Sequence, residues 1–163
     1  MSLNSVLKSL LALMVVLSPA MARAQQTASP YGPPVTLENA KKAAAAAIAE
    51  AEKNKWTLAV AIVDPDGTLV YYEKMDNTQL GSAKVAINKA RSAALFKRPT
   101  KAFQDALAAG GDGLRVLGLE GAVPVEGGVP LVMDGKIVGA IGMSGAKSSE
   151  DAQCAQVGAN TLK

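Results

Sequence analysis

The chain has no histidine and a single cysteine, Cys154, in 163 residues. The first absence removes imidazole from every candidate chemistry. A Ser-His-Asp triad, a histidine metal site and covalent c-type haem attachment each need a residue that is missing. The second absence excludes an intrachain disulfide, even in a compartment that would permit one. Aromatic residues make up only 4% of the chain. A core must therefore be built from Ala, Val, Leu and Ile, and stacking platforms for bases are scarce. No basic cluster with interleaved aromatics occurs, so the footprint of a nucleic-acid binder is absent. What is present is a globular composition, 49% hydrophobic and 19% charged, long enough for one domain with its own core.

The longest apolar run, Leu10 to Leu17, is too short to cross a bilayer. Lys8 precedes it, Ser18-Pro19 interrupts it, and Ala22-Arg23-Ala24 matches a small-x-small cleavage pattern. This predicts a signal peptide over residues 1–24, cut near Ala24. The product would be periplasmic or secreted, with no stable membrane anchor. Loss of Lys8 and Arg23 leaves 15 basic against 14 acidic residues, a net charge of about +1, so the high pI says little about partners. Cys154 reads as a buried, inert thiol, with an intermolecular bridge or a soft ligand as the alternative.

Residues 25–35 hold three prolines and a glycine and predict a flexible lead-in to a domain over 36–163. Thr36 is placed to cap a helix running to about Lys53, with Leu37, Ala40, Ala44, Ala47, Ile48 and Ala51 on one stripe. Trp56 to Val63 and Thr68 to Lys74 read as a hairpin closed by Asp64-Pro65-Asp66-Gly67. That tetrapeptide fits a type I turn, which accounts for both aspartates without a metal. A helix is expected from about Gln79 to Lys97, burying Leu80, Ala83, Ile87, Ala90 and Ala94. Lys84, Asn88 and Arg91 fall on another of its faces; such a stripe is either solvated or a carboxylate site, because Arg presents a forked donor.

Pro99 ends that helix, and Thr100 is placed to cap a short one over Lys101 to Ala109. Gly110 to Gly128 is irregular and glycine-rich. It lacks both phosphate-cradling glycine motifs and reads as a loop framing a pocket, with a fifth strand near Ala122 to Val125. Pro130 to Met133 and Lys136 to Met143 form a second hairpin on Asp134-Gly135, and Met133 and Met143 belong to its core. Gly139, Gly142 and Gly145 mark close approach of a helix, a subunit or a flat ligand. Ser148 or Ser149 caps a last helix ending near Leu162. Hairpins separated by helices predict an α+β domain with helices on an antiparallel sheet.

An ordered set of segments carries a resemblance. It comprises Ala59-Val60-Ala61-Ile62-Val63-Asp64 with Gly67, then Met75-Asp76, and the run Ala86 to Ala94 (A-I-N-K-A-R-S-A-A). Arg98-Pro99-Thr100 follows, then Gly127-Gly128-Val129-Pro130, Gly135, Val138-Gly139-Ala140-Ile141-Gly142, Ser144-Gly145 and Glu150-Asp151. From about Val35 to Leu162 the chain resembles the GlcG/HbpS-like haem-binding proteins. The resemblance implies a profilin-like α/β/α sandwich around a five-stranded antiparallel sheet, homo-oligomers, and haem or a related tetrapyrrole as ligand. Lys74 stands where the family commonly has Arg, and the usual histidine ligand is missing. Iron would need Met, Tyr, Lys, Cys or a hydroxyl. The Pro-Thr step is similar to a haem-contact segment, which implies Thr100 as an oxygen ligand to the metal beside its capping role; Arg91 and Lys84 are implied as propionate partners.

The function expected from these readings is non-covalent binding of haem or another flat molecule, in haem sensing or handling. Catalytic equipment is thin, so an enzyme is disfavoured. Two alternatives stand beside it. One is an enzyme or accessory factor acting on a small organic acid held by Lys84, Lys89 or Arg91. The other is a structural assembly protein.

Overall fold

In the computed structural model, which describes residues 28–162, the strand from Lys136 to Ser144 is the axis of the molecule, and every residue after Lys136 in it is buried. The elements are α1 (Leu37–Lys53), β1 (Ala59–Val63), β2 (Leu69–Lys74), α2 (Ser82–Leu95), α3 (Lys101–Ala109), β3 (Gly128–Met133), β4 (Lys136–Ser144) and α4 (Ser148–Ala159). A 3-10 helix, Gly111–Gly118, follows α3, and a 3-10 turn, Asn160–Leu162, ends the described chain. The four strands form one antiparallel sheet in the order β2-β1-β4-β3. A fifth strand at Ala122 to Val125 is not formed. The 121–128 segment gives hydrogen bonds to the side chains of Ser92, Gln104 and Thr100 instead, and Tyr31 makes a single parallel bridge to Ile137 of β4.

Both hairpins close as their turn residues dictate. Gly67 N donates to Asp64 O at 3.1 Å. Asp134 and Gly135 take φ of 48° and 72°, the left-handed pair a two-residue turn needs. Residues alternate between the faces of β1. Val60 and Ile62 join Leu131, Ile141 and Met143 against α1 and α4. Ala59, Ala61 and Val63 join Ala140 against α2. Fully burying a residue such as Ile62 or Ile141 contributes about 1.5–3 kcal/mol. The architecture is a three-layer sandwich, α1 and α4 over one face and α2 over the other.

The α2 layer is very thin. A Cβ on Gly142 would collide with the Ala86 carbonyl oxygen, and Cβ atoms on Gly139 and Gly145 would collide with the Val63 and Thr57 carbonyl oxygens. The glycine spacing is thus used up by a helix and a neighbouring strand inside the chain. Small residues also set how α2 is rotated. It buries Ala86, Lys89, Ala90, Ala93 and Ala94, leaves Ile87 half-buried, and starts only at Ser82, with Leu80 85% exposed. The expected stripe was rotated because the facing sheet surface has no room for Leu or Ile.

Helix caps differ in detail. Thr36 Oγ1 accepts from Asn39 N at 3.2 Å, as its position predicts. At α4 the first helical residue is Ser148, and the Glu150 carboxylate caps the chain by accepting from Lys147 N at 3.0 Å. Thr100 starts α3 without a side-chain cap. Its hydroxyl is turned to β3 instead.

Candidate functional site

The outer face of α2 carries an open cleft. Arg91 Nε donates to Gly67 O at 3.0 Å, so the turn of the first hairpin orients the guanidinium. Gly67 holds φ of 88° there, a conformation that glycine adopts without strain. Arg91 is exposed and forms no ion pair among the described residues, which leaves its two terminal nitrogens to the cleft. The cleft encloses about 350 Å³ between Asn88, Arg91 and Leu95 on α2 and Gly121, Ala122 and Val123 opposite. Ser92 Oγ accepts from Val123 N at 3.0 Å and fixes the far wall to α2. A planar forked donor beside small apolar walls suits a carboxylate on a flat apolar body.

The expected site residues do not all meet. Asn88 and Arg91 line the cleft. Lys84 is exposed on the same stripe, one turn before Asn88, and does not line it. Thr100 is fully buried elsewhere: its Oγ1 accepts from Gly128 N at 2.9 Å, and its own N donates to Gly128 O at 3.0 Å.

Lys89, two positions before Arg91, is 1% exposed. Its Nζ donates to Asp151 Oδ2 at 2.7 Å and to Met143 O at 3.1 Å. The organic-acid reading that counted Lys89 as a ligand contact is corrected here, since the carboxylate it holds is internal. Asp151 Oδ1 also accepts from Ala146 N at 3.1 Å. Burial pushes the Asp151 carboxyl above its ordinary value of 3.8, outweighing the bonds from Lys89, Ala146 and Gly145. Gly127 closes this seam with φ of 122°, and a Cβ there would stand 2.8 Å from Lys89 Nζ. Sequence reasoning missed the pair. The available signal was a lysine at position 89 between the small residues Ala86 and Ala90, on the stripe that meets the sheet.

Other polar groups are explained locally. Asp64 Oδ1 accepts from Asp66 N at 3.1 Å and Thr68 N at 2.9 Å, which is turn chemistry. Cys154 is buried, and burial pushes its thiol up to about 12, so it is protonated at neutral pH and is neither a nucleophile nor a thiolate ligand. Met143 is fully buried, and Met133 is half-buried on β3. For the macrocycle that the sequence resemblance implies, the cleft offers a cation for a propionate and Leu95, Ala122 and Val123 for a ring edge. These residues fit the periphery of haem; at about 350 Å³ the cleft takes an edge, not the whole ring.

Three comparisons place the chain in a family and agree with its fold. The model of the HbpS-like family, described as haem degrading protein HbpS-like, matches residues 35–160. Protein GlcG of Escherichia coli is 38% identical over 95 residues, spanning 58% of this chain and 69% of its own. Among solved structures, a double mutant of Streptomyces reticuli HbpS superposes with a TM-score of 0.74 at 31% identity, covering 90% of this chain and 97% of the other. The complex of PduOC with haem superposes with a TM-score of 0.71 at 26% identity, covering 80% and 96%. With most of the folded chain matched by the family model and by both structures, the protein belongs to the GlcG/HbpS-like family.

Proposed function

We propose that the protein binds haem without a covalent bond, edge-on, in the cleft between α2 and the 121–123 segment. The observation that carries this reading is Arg91, a guanidinium oriented through Gly67 O with its fork open to the cleft. Arg91 takes one propionate, and Lys84, in solvent about two turns away on the same stripe, takes the second. Leu95, Ala122 and Val123 contact the ring edge. The haem complex of the similar PduOC supports the ligand class. Bound haem supplies the iron chemistry. Thr100 is bonded to Gly128 and does not line this cleft, so it is not among the residues that would hold haem here. Titration of hemin into the purified protein tests the reading: a shifted, saturable Soret band is expected, and a spectrum that stays that of free hemin at micromolar protein overturns it.

The reading extends to an exported homo-oligomer. Residues 1–24 support export through their charged start, apolar run and cleavage pattern, although they lie outside the described residues. Exposure of Leu80, Leu114 and Leu117 at 85%, 53% and 70% supports association. N-terminal sequencing of the periplasmic fraction should begin at Gln25, and light scattering should give a multiple of the chain mass. An unprocessed N-terminus or a monomer would remove the corresponding part.

A further inference from the structure

A second cavity, on the α1 side of the sheet, shares no residue with the haem cleft. It encloses about 310 Å³ where the 33–36 segment and the start of α1 face the tip of the second hairpin. Its apolar lining is Pro33, Pro34, Val35, Met133 and Val138. Its polar lining includes Asp134 and Lys136, on either side of Gly135 at the hairpin tip.

The walls are fixed before any ligand arrives. Gly32 N donates to Ile137 O at 2.8 Å, Ile137 N to Pro30 O at 2.8 Å, and Val35 N to Val138 O at 2.7 Å. Val35 and Val138 are 5% and 4% exposed, and the two prolines have restricted backbones. A preformed pocket loses little ordering entropy on binding. The charges in it are not consumed: neither Asp134 nor Lys136 has an ion-pair partner among the described residues, and they do not pair with each other. Asn39 Nδ2, also in the lining, has only the Met133 sulfur as a side-chain partner, at 3.7 Å.

One free anion and one free cation, both exposed at the hairpin tip, beside an apolar wall of one small open pocket define a chemical class. We infer that this cavity binds a small zwitterion with an apolar side chain, an apolar α-amino acid. Its ammonium group meets Asp134, its carboxylate meets Lys136 and the Asn39 amide, and its side chain lies on Pro33, Pro34 and Val138. A volume of about 310 Å³ stands at the small end of ligand pockets and matches such a molecule. A carboxylate alone or an amine alone satisfies one charge and leaves the other facing it unpaired.

The test uses the full chain and three probes: L-leucine, 4-methylvalerate and isoamylamine. Amide chemical-shift titrations should show saturable movement at Asn39, Lys136 and Val138 with leucine. Each single-charge probe should bind about fivefold more weakly, the scale of one partly exposed ion pair. Asp134→Asn keeps a residue that tolerates the positive φ of the turn and should remove the preference for leucine over 4-methylvalerate. Lys136→Gln should remove the preference over isoamylamine. Arg91→Gln, in the other cleft, should leave leucine binding unchanged. The inference is overturned if leucine moves no amide, if the three probes bind equally, or if neither hairpin variant alters the order. Hemin binding in the same samples reads the haem proposal separately, so either can fail alone.

Discussion

Lys89 and Arg91 lie two positions apart on α2 and meet opposite fates. Lys89 faces the sheet, is 1% exposed and spends its charge on Asp151 and a backbone carbonyl. Arg91 faces solvent, is steadied by one bond to Gly67 O and keeps its fork free. A step of two residues turns a helix by roughly 200°, so neighbouring cations in the sequence serve opposite sides of the layer. The first charge is consumed inside the fold; the second is held at one nitrogen beside an open cleft.

Substitutions sharpen the contrast in order of size. Lys89→Met leaves the Asp151 carboxylate buried without its partner and should cost about 3–5 kcal/mol, read as a fall in melting temperature. The paired change Lys89→Met with Asp151→Leu should recover most of that loss, because desolvation offsets much of the pair's attraction. If the double variant is as unstable as the single, the seam is more than a compensated ion pair. Gly142→Ala comes next. Its Cβ has no room against Ala86, so overpacking should cost about 1–3 kcal/mol. Gly118→Ala, whose Cβ would meet nothing within 4 Å, should stay within about 0.5 kcal/mol of wild type.

Arg91→Gln should weaken hemin binding about fivefold, while the melting temperature barely moves. An equal loss of stability would place Arg91 with Lys89 as a structural cation. A further effect is in pH. The Asp151 carboxyl is raised in the folded state by burial, so the folded state holds its proton more tightly than the unfolded chain. Its contribution to stability is therefore full below the unfolded carboxylate range and is lost as pH rises through the raised folded value. Asp151→Asn should flatten that part of the stability profile between acid and neutral pH. A variant profile that keeps the same slope would assign the dependence to another group.

Much of the fold was legible because it rests on local rules. Thr36 caps α1, Asp64 to Gly67 turns the first hairpin and Asp134-Gly135 turns the second, all from residue types at fixed offsets. The α2 face was misread for a physical reason. Periodicity favours large apolar residues on the buried side, but here the sheet offers Ala59, Ala61, Ala140 and Gly142, which accept only small residues and one extended lysine. The fifth strand failed because segment 121–128 bonds to Ser92, Gln104 and Thr100, side chains far away in sequence. Half of the candidate cleft was visible, since Asn88 and Arg91 share a stripe. Its other wall, Gly121 to Val123, falls in the loop expected to frame a pocket, but its pairing with α2 was not legible, because nothing local joins the two.

By itself the sequence determined the hairpin turns, the helices, the layered α+β class and the lack of imidazole chemistry, all properties of residues near one another in the chain. Only the tertiary structure decided which cation is sealed and which is free, that Thr100 bonds β3 instead of capping its helix, and where two cavities open. Those outcomes depend on contacts between residues tens of positions apart, and packing resolves such contacts only when the whole sheet is assembled.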